Sequence, residues 1–188
     1  MEVGILKIGC KLIAEILKME FLDPKKILEK LDLRPGMTAV DFGCGRGDWA
    51  IPLAKKIFPG KVIAIDILQE PLSALRSQMK FEKIFNIEPR CWDLEEKVFL
   101  RDNSVDLIII ANMLFQTENK KKVLEEGKRI LREKGKILIV DWKKDNPLTQ
   151  EIEFCNIEEI KEILEKLNLK IIEEFDIPEY HWGLIIEK

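Results

Sequence analysis

The sequence has no long apolar run and few of the side chains that metal centres use. Its 188 residues include one histidine and four cysteines, none of which form a CxxC pair. We therefore predict no metal ligands and expect reduced, mostly buried thiols. The first twenty residues contain many isoleucines and leucines, but lysine or glutamate interrupts them every few positions. That pattern excludes a membrane span and the apolar core of a signal peptide, and the expected location is the cytoplasm.

An excess of positive charge is also missing. The chain has 31 basic and 34 acidic side chains, which gives a formal net charge of −3. Nucleic-acid-binding domains usually carry a basic surface, so the composition argues against a nucleic-acid partner. Hydrophobic residues make up 46% of the chain and charged residues 35%, which is typical of a folded domain. No linker rich in glycine, serine or proline divides the chain.

The N-terminal segment, residues 1–23, is predicted to lie outside the principal domain. Apolar residues recur at helical spacing over residues 2–20 and form a wide apolar face. We predict an amphipathic helix that covers a ligand site as a lid or pairs with a second copy in a homodimer. Residues 24–188 form the principal domain in this interpretation.

Strand and helix patterns alternate through the principal domain. Short apolar runs predict strands over residues 37–42, 61–67, 87–93, 105–112, 136–142, 169–177 and 181–188. Helical periodicity predicts helices over residues 24–33, 47–57, 69–82, 118–133 and 156–167. The connection between the last two strands is too short for a parallel crossover, so they must form an antiparallel hairpin. We therefore predict an α/β fold: a doubly wound, mainly parallel seven-stranded sheet with helices on both faces and a C-terminal antiparallel hairpin.

The most informative stretch is VDFGCGRGDW, residues 40–49. It follows a predicted strand and opens a predicted helix. Glycines at such a junction allow a tight turn and a close approach of the backbone to a ligand. We expect a methyl group added at Gly45 to reduce ligand affinity with little change in the melting temperature. The start of the helix supplies unpaired amides and positive partial charge, which predicts an anionic ligand group there.

Two acidic residues extend this pattern. Asp66 ends the second predicted strand, where an acid can accept hydrogen bonds from a ribose diol. Asp93 ends the third predicted strand. The carboxyl ends of neighbouring strands form the ligand crevice of open α/β sheets, so the sequence predicts one site there. A simple cap for the next helix is the alternative interpretation of Asp66.

The glycine spacing separates two classes of cofactor. Gly43, Gly45 and Gly47 form GxGxG, whereas dinucleotide-binding loops carry GxGxxG, and Asp48 stands where their third glycine would be. No GKS or GKT follows the glycines, which excludes a P-loop. A nicotinamide-dependent oxidoreductase is therefore the weaker alternative.

On these motifs, residues 24–188 resemble the class I S-adenosylmethionine-dependent methyltransferases. Residues 40–47 resemble the family's first motif, and Asp66 matches its acidic residue after the second strand. Residues 91–94, CWDL, resemble the segment that contacts adenine. The remaining matches flank the fourth and fifth strands and comprise residues 102–107, 111–114 and 131–136. The predicted hairpin matches the family's reversed last strand.

The resemblance implies S-adenosyl-L-methionine as the cofactor. Gly43 and Gly45 would approach its methionine part, and Asp41 would anchor the amino group. The predicted cofactor-binding residues are Asp41, Gly43, Cys44, Gly45, Gly47, Asp66, Ile67, Asp93, Leu94 and Asn112.

The same resemblance implies roles at the adenosine end and near the reacting methyl. Asp66 would bind the ribose hydroxyls, with Ile67 against the adenine. Asp93 would bond the adenine amino group. Asn112 would line the floor of the site near the methyl group.

Methyl transfer by direct in-line displacement follows from this resemblance. The sulfonium methyl is already activated, so positioning supplies much of the acceleration and we assign no catalytic base. Residues 112–115, NMLF, lack the motifs of amino-methylating nucleic-acid enzymes and of cytosine methylation. We therefore expect a small-molecule methyl acceptor. A protein that binds the cofactor without turnover is the alternative, and the single histidine, His181, is interpreted as structural rather than as a general base.

Overall fold

The computed structural model describes residues 22–144, 154–177 and 180–188. The predicted N-terminal helix lies outside these ranges. The described residues form five α-helices: α1 (Pro24–Leu28), α2 (Ala50–Ile57), α3 (Gln69–Glu82), α4 (Lys120–Ile130) and α5 (Ile157–Lys166). One short 3-10 helix spans Leu114–Gln116. None of the helices in the described ranges is long and apolar enough to cross a bilayer.

Seven strands pair into one sheet. They are β1 (Thr38–Phe42), β2 (Lys61–Asp66), β3 (Ile87–Cys91), β4 (Val105–Ala111), β5 (Leu131–Trp142), β6 (Lys170–Ile177) and β7 (His181–Glu187). Their order across the sheet is β3-β2-β1-β4-β5-β7-β6. Strands β1 to β5 pair in parallel, and β7 lies antiparallel between β5 and β6. The predicted fold, including the C-terminal hairpin, is confirmed.

Helices cover both faces of the sheet because successive strand side chains point to opposite sides. On one face, Phe42 and Ile110 pack with residues of α4 and α5. On the other face, Ala64 and Ile109 pack with residues of α1, α2 and α3. Each fully buried leucine or isoleucine in these layers contributes roughly 1.5–3 kcal/mol. The two layers therefore hold the carboxyl ends of the central strands firmly side by side.

Both boundaries of α4 differ from prediction. It begins at residue 120 because the side chain of Asn119 accepts the backbone N–H of Lys122 and caps the helix. It ends at Ile130 because Leu131 pairs with Val105 in the sheet. Residues 131–133, which helical periodicity assigned to this helix, therefore belong to β5.

The edge strand agrees with prediction. Pro89 lies in β3, which among the described strands pairs with β2 alone and is an edge strand, as its proline predicts. Helix α1 ends at Leu28, five residues earlier than predicted. The next amides bond to the carbonyl three residues back, which winds the chain more tightly than an α-helix.

Candidate functional site

A cleft of about 530 Å³ opens at the carboxyl edge of the sheet, beyond the ends of β1, β2 and β4. Its walls come from the segments that follow β1, β2, β3 and β4. Eight of the ten predicted cofactor-binding residues line it: Gly43, Cys44, Gly45, Asp66, Ile67, Asp93, Leu94 and Asn112. The fold therefore brings most of the predicted site together in one place.

A second cavity, of about 650 Å³, lies at the opposite, amino edge of the sheet. Residues 31–37 and 132–136 form most of its lining. It is larger than the carboxyl-edge cleft, but none of the predicted site residues line it. Ligands of open α/β sheets bind at the carboxyl ends of the strands, so we take the smaller cleft as the candidate site.

The glycine loop, residues 43–47, leaves β1 with its three glycines in the left-handed region. Their φ angles are +69° at Gly43, +52° at Gly45 and +97° at Gly47. A Cβ on Gly43 would lie 2.5 Å from Cγ of Met113, so the missing side chain lets the loop close on the segment after β4. A Cβ on Gly45 would meet no atom within 4 Å. Because Gly45 lines the cleft, it presents bare backbone to a ligand.

Asp66 joins the glycine loop to the end of β2. Its Oδ2 accepts the backbone N–H of Gly45 at 2.9 Å, and its Oδ1 accepts the N–H of Leu68 at 2.9 Å. The second bond is a local turn contact and not the helix cap of the alternative interpretation, because the N-cap residue of α3 is Leu68 and no side chain caps that helix. Each carboxylate oxygen can accept a further hydrogen bond, so the side chain remains available to a ligand in the cleft.

The loop offers fewer free amides than its glycine pattern implies. The N–H of Cys44 donates to the carbonyl of Ile65 at 2.9 Å, and that of Gly47 donates to the carbonyl of Cys44 at 2.9 Å. The Gly45 amide is taken by Asp66. These bonds stiffen the loop before any ligand arrives.

The segment after β3 forms one end of the cleft. Strand β3 ends at Cys91, so Asp93 lies in the following turn, where its Oδ1 accepts the N–H of Glu95 at 2.9 Å. Trp92 also lines the cleft, and its ring contacts Phe99 edge-on with 5.6 Å between centroids. Trp92 belongs to the segment 91–94 that resembles the adenine-contacting segment, although it was not one of the ten predicted cofactor-binding residues.

The segment after β4 forms the floor. Asn112 has a φ of +51°, and its N–H donates to the carbonyl of Val140 at 2.9 Å. Its Oδ1 is buried and has no hydrogen-bond partner among the described residues. A buried acceptor is normally paired, so this oxygen is a candidate contact for a donor on a ligand. The lining continues through Met113, Gln116 and Thr117, none of which was among the ten predicted cofactor-binding residues.

Asp41 does not line the cleft, contrary to the predicted site. It lies within β1 and is 1% exposed, because β1 is a central strand with both faces covered. Burial raises its pKa to about 8; the Ala50 amide lowers it, and the charges of Asp66 and Asp48 raise it further. Its Oδ2 has no hydrogen-bond partner among the described residues.

Gly47 does not line the cleft either. A Cβ at this position would collide with the side chain of Leu75 in α3 and would press on Ile51 in α2. This glycine therefore permits close packing of the two helices rather than access for a ligand.

His181 is also placed away from the cleft. It is buried at the start of β7, and its ring lies 3.9 Å from that of Trp142 between centroids. Burial lowers its pKa to about 4, with a smaller contribution from Lys143. The imidazole is therefore neutral at pH 7.

Comparison with known proteins identifies the family. A family model described as a methyltransferase domain matches residues 39–135, more than half of the chain. The chain belongs to this methyltransferase family. Together with the S-adenosylmethionine-dependent structure described next, this family implies S-adenosyl-L-methionine as the cofactor. The resemblance of the motifs implies the same cofactor.

Solved structures agree with this membership. A crystal structure of an S-adenosylmethionine-dependent methyltransferase from Aquifex aeolicus is 30% identical, with a TM-score of 0.81 over 89% of this chain and 90% of that one. The cyclase SpnF has a TM-score of 0.77 at 14% identity, over 88% of this chain and 80% of that one, and shares the fold alone.

Curated relatives match over a shorter range. A demethylmenaquinone methyltransferase from Bacillus cereus is 28% identical over 118 residues, which cover 62% of this chain and 49% of that protein. The chain spans half or less of the length of the curated relatives it matches.

Proposed function

We propose that this methyltransferase-family chain transfers a methyl group from S-adenosyl-L-methionine to a small-molecule acceptor by direct in-line displacement. The observation that carries the proposal is the hydrogen bond between Asp66 and Gly45. This bond places a carboxylate that can accept hydrogen bonds from a ribose diol next to the bare backbone of Gly45. Both residues lie within the range that the family model matches.

The charge of the cleft supports this cofactor over a dinucleotide. Acidic side chains outnumber basic ones along its lining, which carries Arg46, Asp48, Asp66, Asp93 and Glu95. The bound cofactor supplies an electrophilic methyl group on a positively charged sulfonium. An acidic lining favours a cation and disfavours the pyrophosphate of a nicotinamide cofactor.

The proposed roles use side chains along the whole cleft. Ile67 is 60% exposed and offers an apolar surface for the adenine ring. Asp66 would accept the ribose hydroxyls through its remaining lone pairs. The unpaired Oδ1 of Asn112 would accept a donor near the reacting end. With the ligand held in this way, positioning rather than a general base would accelerate the reaction.

The same lining supports a small-molecule acceptor. An acidic rim repels the phosphates of nucleic acids. The similar curated proteins from Bacillus take their name from a small molecule, demethylmenaquinone. The floor and wall residues Met113, Gln116 and Thr117 would face this acceptor.

A transfer assay tests the proposal. The protein is incubated with S-adenosylmethionine carrying a labelled methyl group and with pooled small-molecule extracts, and transfer of label is measured by mass spectrometry. We expect label in at least one small molecule, and much less label with Asp66→Ala at the same protein concentration and a subsaturating cofactor concentration. Cofactor binding without transfer to any pool would favour the non-catalytic alternative.

A further inference from the structure

A buried carboxylate lies at the end of β5, outside the cleft. Asp141 is fully buried, and its Oδ1 accepts the backbone N–H of Trp142 at 2.8 Å. Its Oδ2 has no hydrogen-bond partner among the described residues. Burying a carboxylate costs free energy, so a retained acid here calls for a role that a leucine could not fill.

The turn that follows β4 lies against the end of β5, because the N–H of Asn112 donates to the carbonyl of Val140, the residue before Asp141, at 2.9 Å. Burial raises the pKa of Asp141 to about 6, while the backbone amides of Trp142, Phe115, Leu114 and Met113 lower it. Three of these amides open the 3-10 turn, where the first N–H groups of a helix have no partner within the turn. Their positive ends therefore favour the anionic form of Asp141.

The other end of the turn is fixed as well. The Oγ1 of Thr117 donates to the carbonyl of Met113 at 3.0 Å, and the N–H of Gln116 donates to the same carbonyl at 3.2 Å. The Met113 side chain packs over Gly43 in the glycine loop. Asp141 and Thr117 thus hold from two sides a turn that supplies the floor and one wall of the cleft.

We propose that Asp141 is a positioning residue, which sets Asn112 and Met113 against the glycine loop and so shapes the reacting end of the cleft. It acts through the turn, since it does not line the cleft. The inference rests on the proposed function, because the placement of these two residues matters to binding only if the cleft holds the cofactor.

Asp141→Asn tests this role directly. The variant keeps the shape and the Oδ1 acceptor but removes the charge that attracts the turn. Calorimetry with S-adenosylhomocysteine should show a dissociation constant raised about tenfold, because hydrogen bonds and amide dipoles aimed at a charge are stronger than neutral ones. The melting temperature without ligand should stay the same or rise, because a buried charge has been removed.

Two further variants separate positioning from stability. Thr117→Val loosens the opposite end of the same turn, so its effect on S-adenosylhomocysteine affinity should combine less than additively with that of Asp141→Asn. Asp106→Asn is the matched control, since Asp106 accepts the Thr38 N–H and pairs with Arg132 at the amino edge of the sheet. It should lower the melting temperature and leave the affinity unchanged.

Unchanged affinity in Asp141→Asn, or a lower melting temperature as its only effect, would overturn the positioning role. If that variant does not fold, unchanged affinity in Thr117→Val overturns it instead. A wild-type protein that binds no S-adenosylhomocysteine would refute the proposed function, which is a different result from a variant that binds as well as wild type.

Discussion

The carboxylate of Asp66 accepts the backbone N–H of Gly45 at 2.9 Å, and so joins the end of β2 to the loop that leaves β1. The two residues that carry most of the sequence motif are therefore one structural unit. The carboxylate of Asp66 holds the backbone of Gly45 in place, and both residues line the cleft. Changes at either residue should affect ligand binding through both.

Removal of the Asp66 carboxylate should reduce cofactor affinity more than stability. Asp66→Ala deletes the proposed ribose acceptor and frees the amides of Gly45 and Leu68. We expect a loss of roughly 1.5–3 kcal/mol in S-adenosylhomocysteine binding, measured by calorimetry. Asp66→Asn, which retains one acceptor oxygen but no charge, should fall between wild type and Asp66→Ala. Equal affinity in all three proteins would rule out a contact between this side chain and the ligand.

Two glycines provide a matched pair for the loop. Gly45 and Gly36 both have positive φ, +52° and +88°, and a Cβ on either would meet no atom within 4 Å. Alanine in this region costs about 1–2 kcal/mol, so both substitutions should lower the melting temperature. The expectation of an unchanged melting temperature for Gly45→Ala was therefore wrong. Only Gly45→Ala should also weaken S-adenosylhomocysteine binding. Equal binding in both variants would show that Gly45 serves the turn alone.

The buried Asp41 predicts a pH-dependent stability. Its pKa is about 8 in the folded protein against an ordinary value of 3.8 for an aspartate, so the folded state holds its proton more tightly. The stability that it contributes is fully present below about pH 4 and is lost as the pH rises through about 8. Asp141 and His181 titrate lower, at about 6 and 4, which leaves Asp41 to dominate above about pH 6.5.

Asp41→Asn should remove this dependence. Relative to wild type, the variant should gain about 1–2 kcal/mol between about pH 6.5 and 8.5, measured by chemical denaturation. Asp32→Asn is a suitable control because Asp32 is exposed and outside the carboxyl-edge cleft. Parallel stability profiles for wild type and Asp41→Asn would contradict a protonated, buried Asp41.

The sequence was most informative where function depends on local spacing. Residues 43–45 and Asp66 could be predicted because a strand, a glycine turn and an acid follow one another at fixed intervals. The short apolar run of β1, typical of a central strand that is covered on both faces, was a signal that Asp41 would be buried, and its role in cofactor binding stays a prediction. Gly47 could not be assigned from sequence, since its need for glycine arises from the packing of Leu75 in another helix.

The floor of the cleft was the least predictable part. Met113 and Thr117 reach it because the chain turns sharply at Asn112, which adopts a positive φ without being glycine. Asp141 acts on that turn from another strand, about thirty residues later in the sequence. Tertiary contacts between neighbouring strand ends carry no periodic pattern, so hydrophobic spacing cannot reveal them.

Calorimetric titration of the full chain with S-adenosylhomocysteine, and separately with NAD, tests the central claim most directly. The bare backbone at Gly45 and the carboxylate of Asp66 predict S-adenosylhomocysteine binding with a dissociation constant on the order of micromolar, and the acidic cleft predicts far weaker binding of NAD. Tighter binding of NAD, or no heat of binding with S-adenosylhomocysteine, would contradict the account.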